Sequence, residues 1–328
     1  MRDLNLWKFI LKHLEAESGV VLLLVLESDG SSPGRQGFKM AVTGEEMCGS
    51  IGGGMMEFNF VEDARRKLSE GNDFSLLQKQ IHKKNEKEFP SGMICSGEQT
   101  VFVRMMKTDD KPVIQSIIQS LANHENGVLE ITDMHIRFFS KSDSDNIGFT
   151  STESSFIYRE MTGYRHFAHI IGGGHCSYAL SKILHGLDFH ISVYDDRKVI
   201  NTFEKNDLAM IKKVVSSYSE IGDIIPEGDN IYVIVMTYGY KTDMEAVEAL
   251  KGKQFKYLGV LGSKSKVTQM KREWLKAGMR EEWINSLKAP IGLSINSRTP
   301  EEIAVSIAGE MIGVKNGRSA IGFEEMSK

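Results

Sequence analysis

The run Ile170-Ile171-Gly172-Gly173-Gly174-His175 constrains this chain more than any other segment. An apolar strand, read over Phe167 to Ile171, breaks into glycines and is followed by the helix-forming Tyr178-Ala179-Leu180. In such a strand-turn-helix unit Gly172 permits the tight turn, Gly174 lets a ligand phosphate approach the backbone, and the helix N-terminus offers unpaired amides to an anion. A second apolar strand, Ile191 to Tyr194, delivers Asp195 at the spacing where such units place the acid that holds a ribose. Ser177 stands where a third glycine is usual and is small enough for helix-strand packing. A sheet whose glycine turn serves packing alone would carry the same letters.

Beyond this unit the pattern keeps alternating, with a strand over Ile231 to Thr237, a helix over Asp243 to Leu250 and a strand over Tyr257 to Leu261. That alternation predicts a parallel sheet, and with the glycine turn it predicts a Rossmann-like domain over residues 165–328. Thr299-Pro300-Glu301-Glu302 opens the last helix as a capping box, with Ile303, Ile307 and Met311 as its buried stripe. The N-terminal part reads as an α/β domain over residues 1–110. It has an amphipathic helix over Leu4 to Glu17, a strand over Val20 to Leu26, a turn-rich loop from Asp29 to Gly37, and a strand over Phe38 to Thr43. Gly49-Ser50-Ile51-Gly52-Gly53-Gly54 then precedes a helix over Met55 to Leu68, and Thr100 to Met106 reads as a closing strand. Residues 111–164, with a helix over Pro112 to Asn123 and three short strands, read as a connecting β-rich module. The fold class is therefore α/β, an N-terminal α/β domain followed by a Rossmann-like domain with a parallel sheet.

With 328 residues the chain can build two cores, and 41% hydrophobic against 26% charged residues places it with globular proteins. A formal charge of -4 argues against a nucleic-acid partner, which needs a basic face. Val20 to Leu26 is too short to span a bilayer, and no signal peptide is read at the N-terminus, so a cytoplasmic protein without a membrane partner is expected. Three widely spaced cysteines, Cys48, Cys95 and Cys176, support neither a disulfide framework nor a paired-cysteine zinc site.

Several residues carry candidate chemistry. Gly52, Gly53 and Gly54 before a helix could hold a phosphate or carboxylate edge on their amides, or simply pack tightly. Arg35 and Lys39 flank the adjoining loop as anion contacts or as a solvated face, and Glu57 reads as a dipole partner or cap. Cys95, in a glycine-flanked loop, offers a soft thiolate for a metal, sulfur or a persulfide; the alternative is a buried thiol. Cys176 lies at a helix start, where the dipole would lower its pKa unless it only packs, and His175 beside it would act as a neutral donor or ligand. Gly262, Ser263 and Lys264, with Lys266, form a second possible phosphate anchor after a strand. Asp195 could take a hydroxyl of a ligand or nucleotide.

Taken together, these segments resemble the xanthine dehydrogenase accessory protein family, XdhC/CoxI. In the first domain the resemblance rests on Gly30-Ser31-Ser32-Pro33, Gly37, Met40, Val42-Thr43, the glycine cluster with Glu57, and Cys95-Ser96-Gly97. In the second it rests on Gly172-Gly173-Gly174-His175, Asp195-Asp196-Arg197, Leu261-Gly262-Ser263-Lys264, and the run from Pro290-Ile291-Gly292-Leu293 through Arg298-Thr299-Pro300-Glu301-Glu302-Ile303-Ala304 to Glu310. Met55 stands where many CoxI-like members carry cysteine, Tyr238 follows Thr237 where the family often has histidine, and Ser96 replaces a glycine. The resemblance implies a factor that binds molybdenum cofactor (molybdopterin) as cargo, supports its sulfuration and delivers it to an apo xanthine dehydrogenase-type hydroxylase, as a chaperone more than a turnover enzyme. It implies a homodimer and a cysteine desulfurase-type sulfur donor as partners, Cys95 as the metal-facing residue, and Arg298 within the cofactor-binding set. The rival reading is an NAD(P)-dependent oxidoreductase that uses the Rossmann-like domain.

Overall fold

The computed structural model describes residues 2–30, 32–82, 97–140, 147–152 and 154–317, which form two compact units, 1–163 and 164–328. The first unit begins with helix α1 (Arg2–Glu15) and strand β1 (Val21–Gly30). Strands β2 (Lys39–Val42) and β3 (Met47–Gly49), helix α2 (Gly54–Glu70), and strands β4 (Ser75–His82) and β5 (Gly97–Met105) complete an antiparallel sheet in the order β3-β2-β1-β5-β4. β1 is central and its first six residues are buried on both faces, which explains an unbroken apolar run in place of alternation. Leu22, Leu24 and Leu26 face Trp7, Ile10 and Leu14 of α1, whereas Val21, Leu23 and Val25 face Met56, Phe60 and Ala64 of α2. Strand β4 has no counterpart in the sequence reading because its pattern is inverted: Gln78 and Gln80 are half-buried while Leu77 is exposed, as an edge strand tolerates.

Helix α3 (Lys111–Ala122) and strands β6 (Gly127–Thr132), β7 (Ile136–Phe139), β8 (Gly148–Ser151) and β9 (Phe156–Thr162) follow, the strands forming a second antiparallel sheet in the order β7-β6-β9-β8. Residues 111–164 read from sequence as a connecting module. Instead Ile114, Ile117, Leu121, Leu129, Ile131 and Tyr158 join Trp7 and Leu24 in one hydrophobic core, so this segment, up to Gly163, is an integral layer of the first unit. An ion pair stitches the two sheets: the Lys39 Nζ lies 2.7 Å from Glu160 Oε1 and 3.0 Å from Asp3 Oδ2, with Lys39 and Glu160 almost wholly buried. Burial alone would lower the Lys39 ammonium, but Glu160 and then Asp3 outweigh it and hold its pKa above the usual lysine value.

The second unit contains strand β10 (His166–Ile171), helix α4 (His175–Gly186), strand β11 (Phe189–Asp195), helix α5 (Asn201–Glu204), strand β12 (Ile211–Val214) and helix α6 (Ile221–Ile224). Strand β13 (Gly228–Val235), helix α7 (Tyr240–Ala249), strand β14 (Phe255–Val260), and helices α8 (Lys264–Lys276), α9 (Glu281–Ser286) and α10 (Pro300–Lys315) complete it. The sheet order is β12-β11-β10-β13-β14 with every pair parallel, the doubly wound order in which chain direction across the sheet reverses between β10 and β13. Ile170, Ile191, Val193 and Ile234 pack under α4 and α10; Val233, Val235 and Val260 pack under α7 and α8. The capping box of α10 is formed as its sequence implies, with Thr299 accepting from the Glu302 amide. Among the described residues no helix is long and apolar enough to cross a membrane.

Lys39→Met leaves Glu160 as a buried carboxylate without its ammonium, and a loss of roughly 3 kcal/mol in unfolding free energy is expected. Urea denaturation of the variant against the parent chain measures it; a loss below about 1 kcal/mol, the size of an exposed pair, would show that the two sheets do not depend on this contact.

Candidate functional site

Each unit contains a glycine turn at the start of a helix, and each turn closes on a carboxylate from within the chain. In the first unit Gly52, Gly53 and Gly54 all have positive φ (132°, 77° and 69°), conformations that a β-carbon disfavours. Gly52 is also pressed against the Pro33-Gly34 backbone, where an added Cβ would lie 2.4 Å from the Gly34 nitrogen. The amides of Ile51 and Gly53 donate to Glu57 Oε2 at 2.8 and 3.0 Å, and the Ser50 hydroxyl donates to the same oxygen at 2.6 Å. The nest expected to hold an external anion is thus filled by Glu57, which acts as the cap the sequence suggested. Buried Gln99 of β5 ties down the neighbouring loop, accepting from the Ser32 hydroxyl and the Gly34 amide, while its Nε2 lies 3.2 Å from Met56 Sδ. Its role had no signal in the sequence, since the contacts span 43 residues or more.

One further expectation changes here. Lys39 is not an anion contact beside this loop, because its ammonium is committed to Glu160, Asp3 and the Gly37 carbonyl. Arg35 is exposed and donates to the Gly30 carbonyl at 3.2 Å. Cys95 and Ser96 lie outside the described residues; Gly97, which follows them, opens β5 paired with Gly30 at the head of the 30–37 loop. Among the described residues no group of three or more His, Cys, Asp or Glu side chains could hold a metal ion.

In the second unit Gly172 has φ of 111° and lies so close to β13 that an added Cβ would sit 2.3 Å from the Met236 carbonyl oxygen. Gly173 is packed against Phe203, its carbonyl accepting from Thr202 and its amide donating to Asp195 Oδ2 at 2.7 Å. Gly174, in extended conformation, caps α4, and nothing lies within 4 Å of where its Cβ would be. The turn is therefore built, with its ligand-facing glycine open and exposed His175 next along the helix.

Asp195 departs from expectation. Fully buried at the end of β11, it accepts the Gly173 amide and Arg197 Nη2 on Oδ2 and the Arg197 amide and Nε on Oδ1, at 2.7–3.0 Å. Burial would raise its pKa; the Arg197 guanidinium and two backbone amides reverse that and hold it below the usual aspartate value. Two carboxylate oxygens offer about four acceptor positions, and four donors fill them. The carboxylate predicted to hold a ribose instead joins the glycine turn to Arg197, so the residue that NAD recognition would require does not fit that ligand.

The remaining predicted residues scatter along the carboxyl edge of this sheet. Gly262 and Ser263 follow β14, where Ser263 caps α8 by accepting from the Lys266 amide and Lys264 is exposed. Lys266 is not a free phosphate anchor: its ammonium is bound to buried Asp243, which also accepts from the Thr237 amide and hydroxyl. Arg298 is exposed ahead of α10, with its amide donating to Glu302. Burial and then Glu301 push the Cys176 thiol up, opposite to the lowering expected from its helix start. Glu310 accepts from the Gly292 amide at 2.9 Å and from Tyr257 at 2.5 Å, which places the 290–299 run against its own helix.

These features define an α/β protein in two units, one of them a Rossmann domain with an intact glycine turn. Residues 169–311 match the XdhC Rossmann domain and residues 13–78 match the XdhC and CoxI family. The chain belongs to the XdhC/CoxI family. An uncharacterized Escherichia coli K12 protein, YqeB, is 28% identical over 210 residues, which are 63% of this chain and 37% of YqeB, well under two thirds of that relative's length. A Bacillus halodurans protein described as a xanthine dehydrogenase shares the fold, with a TM-score of 0.72 at 19% identity over 98% of this chain and 97% of its own.

Two measurements check this account. Gly172→Ala places a methyl group against the Met236 carbonyl in a strained conformation, so a stability loss of about 2 kcal/mol or more is expected in urea denaturation, and an unchanged midpoint would contradict the close approach. His169, buried on β10 with Nδ1 3.0 Å from the Tyr194 hydroxyl, has its pKa lowered to about 4 by burial and then by His190. Between that value and the ordinary 6.5 the unfolded chain binds a proton that the folded chain does not, so stability falls as pH is lowered through this window. This residue contributes a loss of about 2 kcal/mol between pH 7 and 5; His169→Gln is expected to flatten the pH dependence of the unfolding midpoint by that amount.

Proposed function

We propose that this chain is an accessory factor for a xanthine dehydrogenase-type molybdenum hydroxylase, which binds molybdenum cofactor as cargo, supports its sulfuration and passes it to the apo-enzyme. The observation that carries the reading is family membership expressed in both units in chain order, the XdhC and CoxI segment followed by the XdhC Rossmann domain. The B. halodurans protein of the same fold is itself described as a xanthine dehydrogenase, which agrees with a hydroxylase as client.

Within this proposal Cys95 is the thiolate that faces the metal or its sulfur, because soft sulfur ligands suit molybdenum and a persulfide. The pairing of Gly97 with Gly30 supports placing that chemistry at the end of the first unit where the 30–37 loop packs on the glycine cluster. Glu57 and Gln99 then act as struts of the loops and leave the cargo itself to Cys95 and backbone groups. A cysteine desulfurase-type donor and a second copy of the chain complete the assembly. The oxidoreductase reading leaned on Asp195 as a ribose acceptor, and that carboxylate is fully used inside the protein.

Anaerobic incubation with released molybdenum cofactor, followed by gel filtration and assay of molybdenum and pterin, tests the proposal. Near-stoichiometric pterin is expected with the parent chain and its loss with Cys95→Ala. Pterin absent from both, or retained equally by both with full activation of the apo-hydroxylase, would remove respectively the carrier role or the part assigned to Cys95.

A further inference from the structure

The arrangement around Asp195 determines what the second unit can recognise. In a Rossmann sheet the end of the second strand faces the adenosine ribose of a bound dinucleotide, with an acid there selecting a free 2′-hydroxyl and an arginine accommodating a 2′-phosphate. In this unit that strand is β11, and it ends in both: Asp195 and, two residues on, Arg197. What a ligand meets depends on which groups are turned inward.

Asp195 is withdrawn from solvent, and Asp196 is half-buried. Asp195 is fully buried and carries four donors. Asp196 has Oδ1 shielded and Oδ2 accepting from the Tyr238 hydroxyl at 3.0 Å. The Arg197 side chain, by contrast, is 40% exposed. It is also rigid, because Asp195 holds its Nε and Nη2, and Tyr238 lies under its plane with the guanidinium carbon 4.6 Å from the ring centroid. A guanidinium held on one edge and one face keeps Nη1 for an external acceptor, and a fixed fork loses little entropy when it binds one. Tyr238 is 58% exposed, so ring and guanidinium together form a flat shelf, with the Asp196 carboxylate at the hydroxyl end of the ring. The shelf is coupled to the glycine turn, since one oxygen, Asp195 Oδ2, accepts from both the Gly173 amide and Arg197 Nη2.

We propose that the second unit binds an adenosine nucleotide carrying a 2′-phosphate, with the phosphomonoester on Arg197 and Tyr238, and that it discriminates against the same nucleotide with a free ribose. Asp195 is a positioning residue: it aims the guanidinium and closes the turn, and does not touch the ligand. Tyr238 is the stacking half of the shelf. The inference concerns binding by the second unit and does not rest on the accessory role.

The test is isothermal titration of the full chain with adenosine 2′,5′-bisphosphate and, separately, adenosine 5′-diphosphate, two ligands of the same phosphate count. The 2′,5′ isomer is expected to bind at least about 10-fold more tightly, as one charge-assisted pair provides. Arg197→Gln should abolish the preference; because it leaves Asp195 short of its partner and can unfold the unit, Tyr238→Leu is measured beside it, as a change confined to an exposed ring. Tyr238→Leu is expected to bring the two ligands within about threefold of each other while far-UV circular dichroism and the unfolding midpoint stay unchanged. Equal binding by the parent chain, tighter binding of the 5′-diphosphate, or no binding of either ligand at millimolar concentration would each overturn the proposal.

Discussion

The carboxylate of Asp195 is the contact on which the second unit depends. It sits at the end of β11, wholly out of water, and collects four hydrogen bonds from the Gly173 amide and Arg197. A glycine turn is entropically expensive to order, and a buried charge is tolerated only when fully partnered. One residue answers both demands. The first unit uses the same solution with Glu57, whose Oε2 closes the glycine cluster by accepting from Ser50, Ile51 and Gly53.

The consequence is a division of labour between backbone and side chain. Glycine-rich turns before helices offer amides to anions, and such turns are commonly read as ligand sites. Here the chain supplies an anion of its own to each turn, so part of the anion-binding capacity is spent on holding shape. What stays open in the second unit is Gly174 at the head of α4. Lys39 and Lys266, the cations nearest the predicted anchors, are likewise committed to Glu160 and Asp243. Arg197 is committed as well, to Asp195, yet its side chain stays 40% exposed.

Buried ion pairing also sets the extent of the first unit. Lys39 on β2 and Glu160 on β9 belong to different sheets, and their contact joins them beside a core shared by α1, β1, α3 and β6. Neither charge could remain buried alone, so the pair requires the sheets to stay packed. The strands after residue 127 therefore act as a layer of this unit rather than as a bridge to the next.

Much of the fold was legible in the sequence, because periodicity is a local property. The strand-turn-helix at Gly172, the alternation that makes the parallel sheet, the apolar β1 and the capping box at Thr299 all follow from neighbours within a few residues. The inverted pattern of β4 was not legible, since Leu77 faces outward and Gln78 inward only because the strand lies at an edge. The site was legible as a set of residue types but not as a set of roles. Asp195 was found by its spacing, yet whether it would face a ribose or Arg197 depends on a side-chain fork folding back two residues and an amide arriving from 22 residues earlier. The roles of Gln99, Glu310 and Asp243 were not legible for the same reason, their partners lying in other elements. Sequence alone determined the main apolar strands, the amphipathic helices and the glycine turns, because backbone sterics and hydrophobic period act locally. Only the tertiary structure decided which charges are spent inside the protein and which face a ligand, because that depends on burial, and burial is a property of the whole packed chain.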